Sequence, residues 1–196
     1  MPAPKILVIP GSLRVGSHNA RLAALAAKEL TLAEADVTRI SLADYPLPLF
    51  DADLMAESGL PQPALALKNM LAAHHGVFIT SPEYSASVSP LIKNTVDWMS
   101  RGRDRNEPNY AGFKGRVFAL GAAANSSVGG LRGLMALRQV LELGCNALVI
   151  PEQINIGRAA QAFDEMDNLK DESQAAALKA VARRLVEMAS LMARAG

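Results

Sequence analysis

Three short segments of the chain, Ile6-Leu7-Val8-Ile9, Val77-Phe78-Ile79-Thr80 and Leu148-Val149-Ile150, run apolar without a polar residue at alternate positions. A strand with one wet face must alternate, because successive side chains point to opposite sides of the sheet. Unbroken apolar strands belong where helices cover both faces of a parallel sheet. Each is followed by a turn and a helix-like stretch, and this βαβ rhythm directs the chain to an α/β fold.

Strands are expected at Lys5 to Ile9, Asp36 to Leu42, Gly76 to Ser81, Arg116 to Leu120 and Asn146 to Ile150. Helical patterns fall around 17 to 30, 62 to 73, 90 to 100, 130 to 143 and 169 to 194. Five such strands suit a doubly wound, five-stranded parallel sheet of flavodoxin-like order 2-1-3-4-5, whose ligand crevice lies outside the carboxyl ends of the strands at the switch point. With 196 residues, 20.8 kDa and no linker or internal repeat, residues 1–196 are expected to form a single domain.

The candidate site lies in the turns. In "VIPGSLRVGSHNARLAAL" the glycine at 11 permits a sharp exit from the first strand. Ser12, Ser17 and Asn19 offer polar side chains, Gly16 lets backbone come close, and Ser17 can cap the next helix. A helix N-terminus and Arg14 beside it make an anion cradle suited to a phosphate. An arginine there opposes the helix dipole unless an anion lies between them. The Walker pattern fails, because Ser17 and His18 follow Gly16 where lysine and a hydroxyl residue are needed. The dinucleotide pattern GxGxxG fails too: Leu13 occupies the second glycine position, and Asp36 precedes its strand rather than ending it. A terminal monophosphate remains.

The stretch "SPEYSASVSPLIKNTVDWMSR" leaves the third strand with Pro82 as a stop, Tyr84 as an aromatic face and Ser89-Pro90 as a helix start. At the switch point it neighbours the first loop, which sets a phosphate site and a flat-ring site about a mononucleotide apart. "GAAANSSVGG" follows the fourth strand and closes the other side, or is simply a flexible connection.

Together "GSLRVGSHN", "DYPLPLFDAD", "SPEYSASVSPLIKNTVDWMSR" and "SSVGGLRGLMALRQVL" resemble the NAD(P)H-dependent FMN reductase family, with its flavodoxin-like chromate, quinone and azo-dye reductases, over roughly residues 5 to 155. The resemblance implies that Ser12, Arg14, Ser17 and Asn19 bind the FMN phosphate. It implies that Pro82, Glu83, Tyr84 and Ser85 border the isoalloxazine. Ala122 to Ala124 stand where many relatives place serine or threonine, which leaves Asn125, Ser126 and Ser127 as contacts in the third loop. The implied activity is hydride transfer from NADPH or NADH to FMN, then electron transfer to a quinone, free flavin, azo compound or metal oxyanion such as chromate. The resemblance also implies a homodimer or homotetramer, and the helix over 90 to 100 agrees with it, being apolar over more than one stripe. The alternatives are a flavodoxin-type electron carrier and a non-catalytic FMN-binding module.

Lysine and arginine total 20 against 19 acidic residues, so the chain lacks the strong net positive field of a nucleic-acid binder and shows no bias toward the charged docking face of an electron carrier. Cys145, the single cysteine, excludes an internal disulfide and is expected to be a small buried side chain. "MPAPK" runs into a strand without a leader and no long apolar run follows, so a cytoplasmic protein without a membrane span is expected. His74 and His75 lack partners at metal-ligand spacing; a solvated helix end is expected, with no metal. Trp98 is expected in core or subunit packing, and Leu178, Val181, Leu185, Met188 and Met192 on a core-facing helix. Arg101, Arg103 and Arg105 read as a solvated run, or as a grip on the nicotinamide cofactor's phosphates.

Overall fold

The computed structural model describes residues 3–104 and 106–195, so Arg105 of the charged run lies outside the described residues. The main sheet is built from β1 (Lys5–Pro10), β2 (Asp36–Arg39), β3 (Gly76–Thr80), β6 (Val117–Ala123) and β7 (Leu148–Ile156). All pairings are parallel and the order is β2-β1-β3-β6-β7. Counting sheet strands alone, this is the expected 2-1-3-4-5. Between β3 and β6 lies a two-stranded antiparallel ribbon, β4 (Glu83–Tyr84) and β5 (Ser87–Val88). The helices are α1 (His18–Leu32), α2 (Ala52–Ser58), α3 (Gln62–Ala73), α4 (Pro90–Met99), α5 (Leu131–Gln139), α6 (Ala159–Ala162) and α7 (Glu172–Ala195).

Two apolar clusters sandwich the sheet. On one face Ile6, Val8 and Phe78 meet Leu22 and Ala26 of α1 and Leu178, Val181 and Leu185 of α7. On the other, Leu7, Ile9 and Ile79 meet Leu67 of α3, Ile92 and Val96 of α4 and Leu134 of α5. Both sides of β1 and β3 are thereby dry, which is why their sequences carry no polar alternation. Met188 and Met192 pack partly buried against the first cluster, as the spacing on α7 predicts.

The structure corrects several boundaries. β2 stops at Arg39 instead of Leu42, because Ser41 caps a single helical turn, Leu42–Asp44, by accepting from Ala43 N at 3.3 Å. β7 continues past Ile150 to Ile156: Pro151 cannot donate to the ladder, and the strand absorbs it in a register shift opposite Phe118 to Leu120. α7 starts at Glu172 because Asp171 accepts from Ser173 N and Gln174 N, while Leu169 bridges to Phe163. α5 continues into a widened turn over Val140–Gly144. His74 is not solvated but buried against Met70 O at 2.6 Å, and half-buried His75 accepts at Nδ1 from Lys5 N at 3.0 Å. Their polar atoms tie the end of α3 and the start of β1.

The second apolar stripe of α4 is covered by its own chain. Trp98 is fully buried, edge-on to Phe50 at 5.0 Å, and donates from Nε1 to Pro48 O at 2.8 Å. Asn94 donates to Pro48 O and accepts from Phe50 N. The Trp98 side of this stripe is thus occupied within the chain, while Leu91 stays partly buried. Nor is the charged run merely solvated. Lys68, 1 % exposed, pairs with Glu107 at 3.2 Å and donates to Arg101 O; Arg103 pairs with Glu107, and Arg101 lies 4.8 Å over the Phe50 ring. Cys145 is buried, as expected, and burial pushes its thiol pKa up to about 11.

Candidate functional site

Three loops converge at the carboxyl edge of the sheet: 11–17 after β1, 81–89 after β3 and 124–130 after β6. Backbone and side-chain bonds stitch them together. Gly11 N donates to Thr80 O at 2.6 Å, Ser89 Oγ donates to Gly11 O at 3.2 Å, and Ser81 N donates to Gly121 O at 2.9 Å. A Cβ on Gly11 would lie 2.5 Å from Thr80 O and collide with Ile92 Cγ1, so only glycine lets the first loop lie against α4.

In the first loop Ser17 is the N-cap of α1 and accepts from Ala20 N at 3.4 Å. Gly16 takes φ of 68°, the left-handed turn that sends the chain into the helix, and the space where its Cβ would be is open. Ser12 is half-buried with its Oγ accepting from Arg14 N, and Arg14 is exposed with a guanidinium donating to Gly16 O at 3.4 Å. Among the described residues Arg14 has no carboxylate partner within ion-pair distance. Ser12, Arg14 and the amide end of α1 therefore make a donor-rich concavity with unspent positive charge.

Asn19 departs from its expected role. Its carboxamide is buried and donates to Ala123 O at 2.9 Å while accepting from Ala123 N at 3.0 Å. Thr80 Oγ1 donates to Asn19 O at 2.9 Å. The side chain is consumed in tying α1 to β6, which leaves its backbone N–H, near the helix end, as the group able to meet a ligand.

In the second loop Ser85 and Ala86 take φ of 50° and 59° and form the tight turn of the β4–β5 ribbon. Both central residues at positive φ match the right-handed strand twist, at a conformational cost of order 1–2 kcal/mol each for non-glycine residues. The ribbon holds Tyr84 outward and exposed, with Ser85 exposed beside it, while Pro82 is buried and carries Ser81 Oγ on its carbonyl. Glu83 does not face outward with them. Its carboxylate, 7 % exposed, takes Arg132 Nε at 2.9 Å, Arg132 Nη2 at 2.5 Å and Gly133 N at 3.1 Å. Burial pushes its pKa up, but bonds from the Arg132 side chain and the Gly133 amide outweigh this and hold it below the ordinary carboxylate range.

Arg132 is the residue that sequence reasoning missed. It sits in the first turn of α5, where a cation opposes the dipole, so the argument that singles out Arg14 applies to it equally. Its anion is Glu83 from the neighbouring loop.

The third loop is pinned at both ends. Asn125 Oδ1 accepts from Ala160 N at 3.0 Å, and Ser126 O accepts from Gly129 N and Arg158 N. Asn125, Ser126 and Ser127 stand exposed between these anchors. Hydroxyls and amides thus face the edge on one side, Tyr84 on the other and the cationic helix end in the first loop, a set that suits a phosphorylated ring compound such as FMN. Among the described residues no group of three or more His, Cys, Asp or Glu is placed to hold a metal ion, and no helix is long and apolar enough to cross a membrane.

A parallel sheet of this order with its loops gathered at the switch point defines a flavodoxin-like α/β protein. FerB from Paracoccus denitrificans, a flavoenzyme NAD(P)H:(acceptor) oxidoreductase, shares the fold with a TM-score of 0.77 at 24% identity, over 97% of this chain and 99% of its own. Residues 4–161 match the NADPH-dependent FMN reductase family, and the chain belongs to it. It is 34% identical over 138 residues to a quinone reductase of Escherichia coli, covering 70% of this chain and 69% of the relative. It is 32% identical over 170 residues to an NAD(P)H-dependent FMN reductase of Pseudomonas aeruginosa, covering 86% and 85%.

Proposed function

We propose that the whole chain acts as one FMN-binding domain that oxidises NAD(P)H and reduces a quinone-class acceptor. The observation that carries this reading is the pairing, on one sheet edge, of an unspent cationic helix end in residues 12–17 with the exposed Tyr84 ribbon, in a chain of the FMN reductase family. When bound, FMN supplies the redox chemistry, accepting hydride from NAD(P)H and returning electrons to the acceptor.

The chain's own part is binding and orientation. Ser12, Ser17, Arg14 and the first amides of α1 hold the phosphate; the buried Asn19 side chain fixes that helix end to β6 rather than touching the ligand. Tyr84, Ser85 and the backbone of Pro82 border the ring on one side, with Asn125, Ser126 and Ser127 on the other. Glu83 holds the ribbon through Arg132. No side chain is required as acid or nucleophile.

The electron-carrier alternative gains no support from charge, since the totals of 20 basic and 19 acidic residues give no net bias toward a docking face of one sign. We place the protein in the cytoplasm as a homodimer or homotetramer; exposed Leu131 and Met135, one turn apart on α5, and exposed Val128 in the loop before it give a second copy apolar surface to cover. Light scattering reads the assembly.

Function is tested by anaerobic titration of the FMN-loaded protein with NADPH. Bleaching of the flavin without any added protein, then its return on adding a benzoquinone, is the expected result. A flavin reduced only through an added reductase protein makes the chain a carrier, and bound flavin without NADPH oxidation makes it a binding module.

A further inference from the structure

Beside the phosphate loop, on the side of the edge strand, lies a cleft of about 410 Å³. It is lined by Pro10 and Ser12 from the end of β1, Arg39 from the end of β2, and Ser41, Asp44 and Tyr45 from the turn that follows. Its volume is that of a small-molecule site rather than of a single ion. Arg39, the last residue of β2, pairs with Val8 in the ladder, and its side chain lines the cleft together with Pro10 and Ser12. Among the described residues Arg39 has no carboxylate within ion-pair distance, although Asp44 shares the cleft. Ser41 Oγ accepts from Ala43 N, which leaves its hydroxyl proton to donate.

A cation and a carboxylate without ion-pair partners among the described residues, with the hydroxyls of Ser12, Ser41 and Tyr45, are a lining for a phosphorylated ribose. The guanidinium takes the phosphate, the carboxylate takes a sugar hydroxyl, and Tyr45 offers a ring wall. A lone phosphate dianion fits less well, because Asp44 would repel it. Position adds a second argument. This chain lacks the glycine fingerprint of the dinucleotide-binding sheets, but the chemistry used there carries over: an arginine at the end of a strand, beside the carboxyl edge, accommodates a 2′-phosphate. Here Asp36 opens β2 and Arg39 closes it. From β2 to the β3 loop that carries Tyr84 is two strand spacings, roughly 10 Å, a distance a dinucleotide spans.

We infer that this cleft holds the 2′-phosphorylated adenosine end of the nucleotide donor, and that Arg39 selects NADPH over NADH. The inference rests on the reading of the chain as an NAD(P)H-dependent oxidoreductase.

The test uses the FMN-loaded protein and two probes, adenosine 2′,5′-bisphosphate and 5′-AMP, titrated by calorimetry into wild type, Arg39→Gln and Arg39→Lys. Wild type should prefer the bisphosphate. Arg39→Gln should lose roughly ten- to a hundredfold in affinity for it, the loss of one charge-assisted contact, with the lysine variant between them. The ratio of kcat/KM for NADPH to that for NADH should fall by a similar factor. Equal affinity of wild type for both probes overturns the proposal. So does an Arg39→Gln variant whose FMN affinity falls while its probe affinities do not, since Arg39 would then belong to the flavin phosphate. If neither nucleotide reduces the flavin, the oxidoreductase reading fails, and the probe titration still decides what the cleft binds.

Discussion

The carboxamide of Asn19 and the backbone of Ala123 form a closed pair: Nδ2 donates to the carbonyl at 2.9 Å and Oδ1 accepts from the amide at 3.0 Å. The side chain thus imitates one more rung of the ladder at the last residue of β6. It fixes the helix end that the phosphate would meet against the strand whose loop borders the ring.

Asn19→Ala should destabilise the fold by about 1–3 kcal/mol, because both backbone groups of Ala123 lose their partner in a dry site. Asn19→Asp tests the geometry more sharply. An ionised carboxylate can accept from Ala123 N but sets oxygen against oxygen at the carbonyl, whereas a protonated one can donate there. The deficit of Asn19→Asp relative to wild type should therefore shrink as pH falls, read by urea midpoints. A deficit independent of pH would mean that the second bond contributes nothing.

The doubly covered parallel sheet was legible because dry strands leave an apolar run, while its order followed only from the fold class; the three loops were legible because glycine, proline and serine mark the ends of such strands. Side-chain direction was not. Asn19 in the first turn of α1 and Glu83 in the ribbon have exposed neighbours in Arg14 and Tyr84, yet both turn inward, and the reason lies in Ala123 and Arg132, 104 and 49 residues away. Periodicity carries no such information. The ribbon turn was hidden too, because Ser85-Ala86 lacks the Asn-Gly signature of that turn type. His75 and the second stripe of α4 were misread for a related cause: Lys5 is bonded to the first, and the segment of Pro48 and Phe50 covers Trp98 on the second.

Arg14→Ala should weaken FMN binding by roughly ten- to a hundredfold through loss of one charge-assisted contact. Riboflavin, which lacks the phosphate, should bind almost as before. Fluorescence quenching titrations with both ligands separate the cases. Equal weakening would place Arg14 away from the phosphate.

Glu83 contributes a pH-dependent hold on the Tyr84 ribbon. Its folded-state pKa lies below the ordinary value, so the stabilisation is present above the unfolded carboxyl pKa and is lost as pH falls through the folded one. Glu83→Gln removes the ion pair with Arg132 and should cost about 1–3 kcal/mol at neutral pH. The gap from wild type should narrow in acid, below about pH 4.3. Denaturant midpoints at neutral and acid pH check this, and a gap that widens in acid would assign the hold to other groups.

Cys145 should be chemically silent. Burial raises its thiol pKa to about 11, so almost no thiolate exists at neutral pH to attack a disulfide reagent. A thiol assay should find no fast-reacting group until the protein is denatured, and Cys145→Ala should retain its full NADPH oxidation rate. Rapid modification of the native protein with loss of turnover would give the thiol a role in the chemistry.

Two glycines of the first loop should respond differently to the same added methyl group. At Gly16 there is open space, so Gly16→Ala meets only the left-handed backbone cost, roughly 1–2 kcal/mol, at φ of 68°. At Gly11 the backbone is unstrained but the space is filled: the new Cβ would lie 2.5 Å from Thr80 O and against Ile92 Cγ1. A strand carbonyl cannot rotate aside as a side chain can. Relief requires the loop to lift away, breaking the bonds from Gly11 N to Thr80 O and from Ser89 Oγ to Gly11 O. Gly11→Ala should therefore cost more than the roughly 1–3 kcal/mol of ordinary overpacking, and what folds should bind both FMN and riboflavin poorly. Gly16→Ala should retain riboflavin binding. Thermal unfolding with parallel flavin titrations compares the pair, and a milder effect at position 11 than at position 16 would show that the contact with Thr80 does not set the loop.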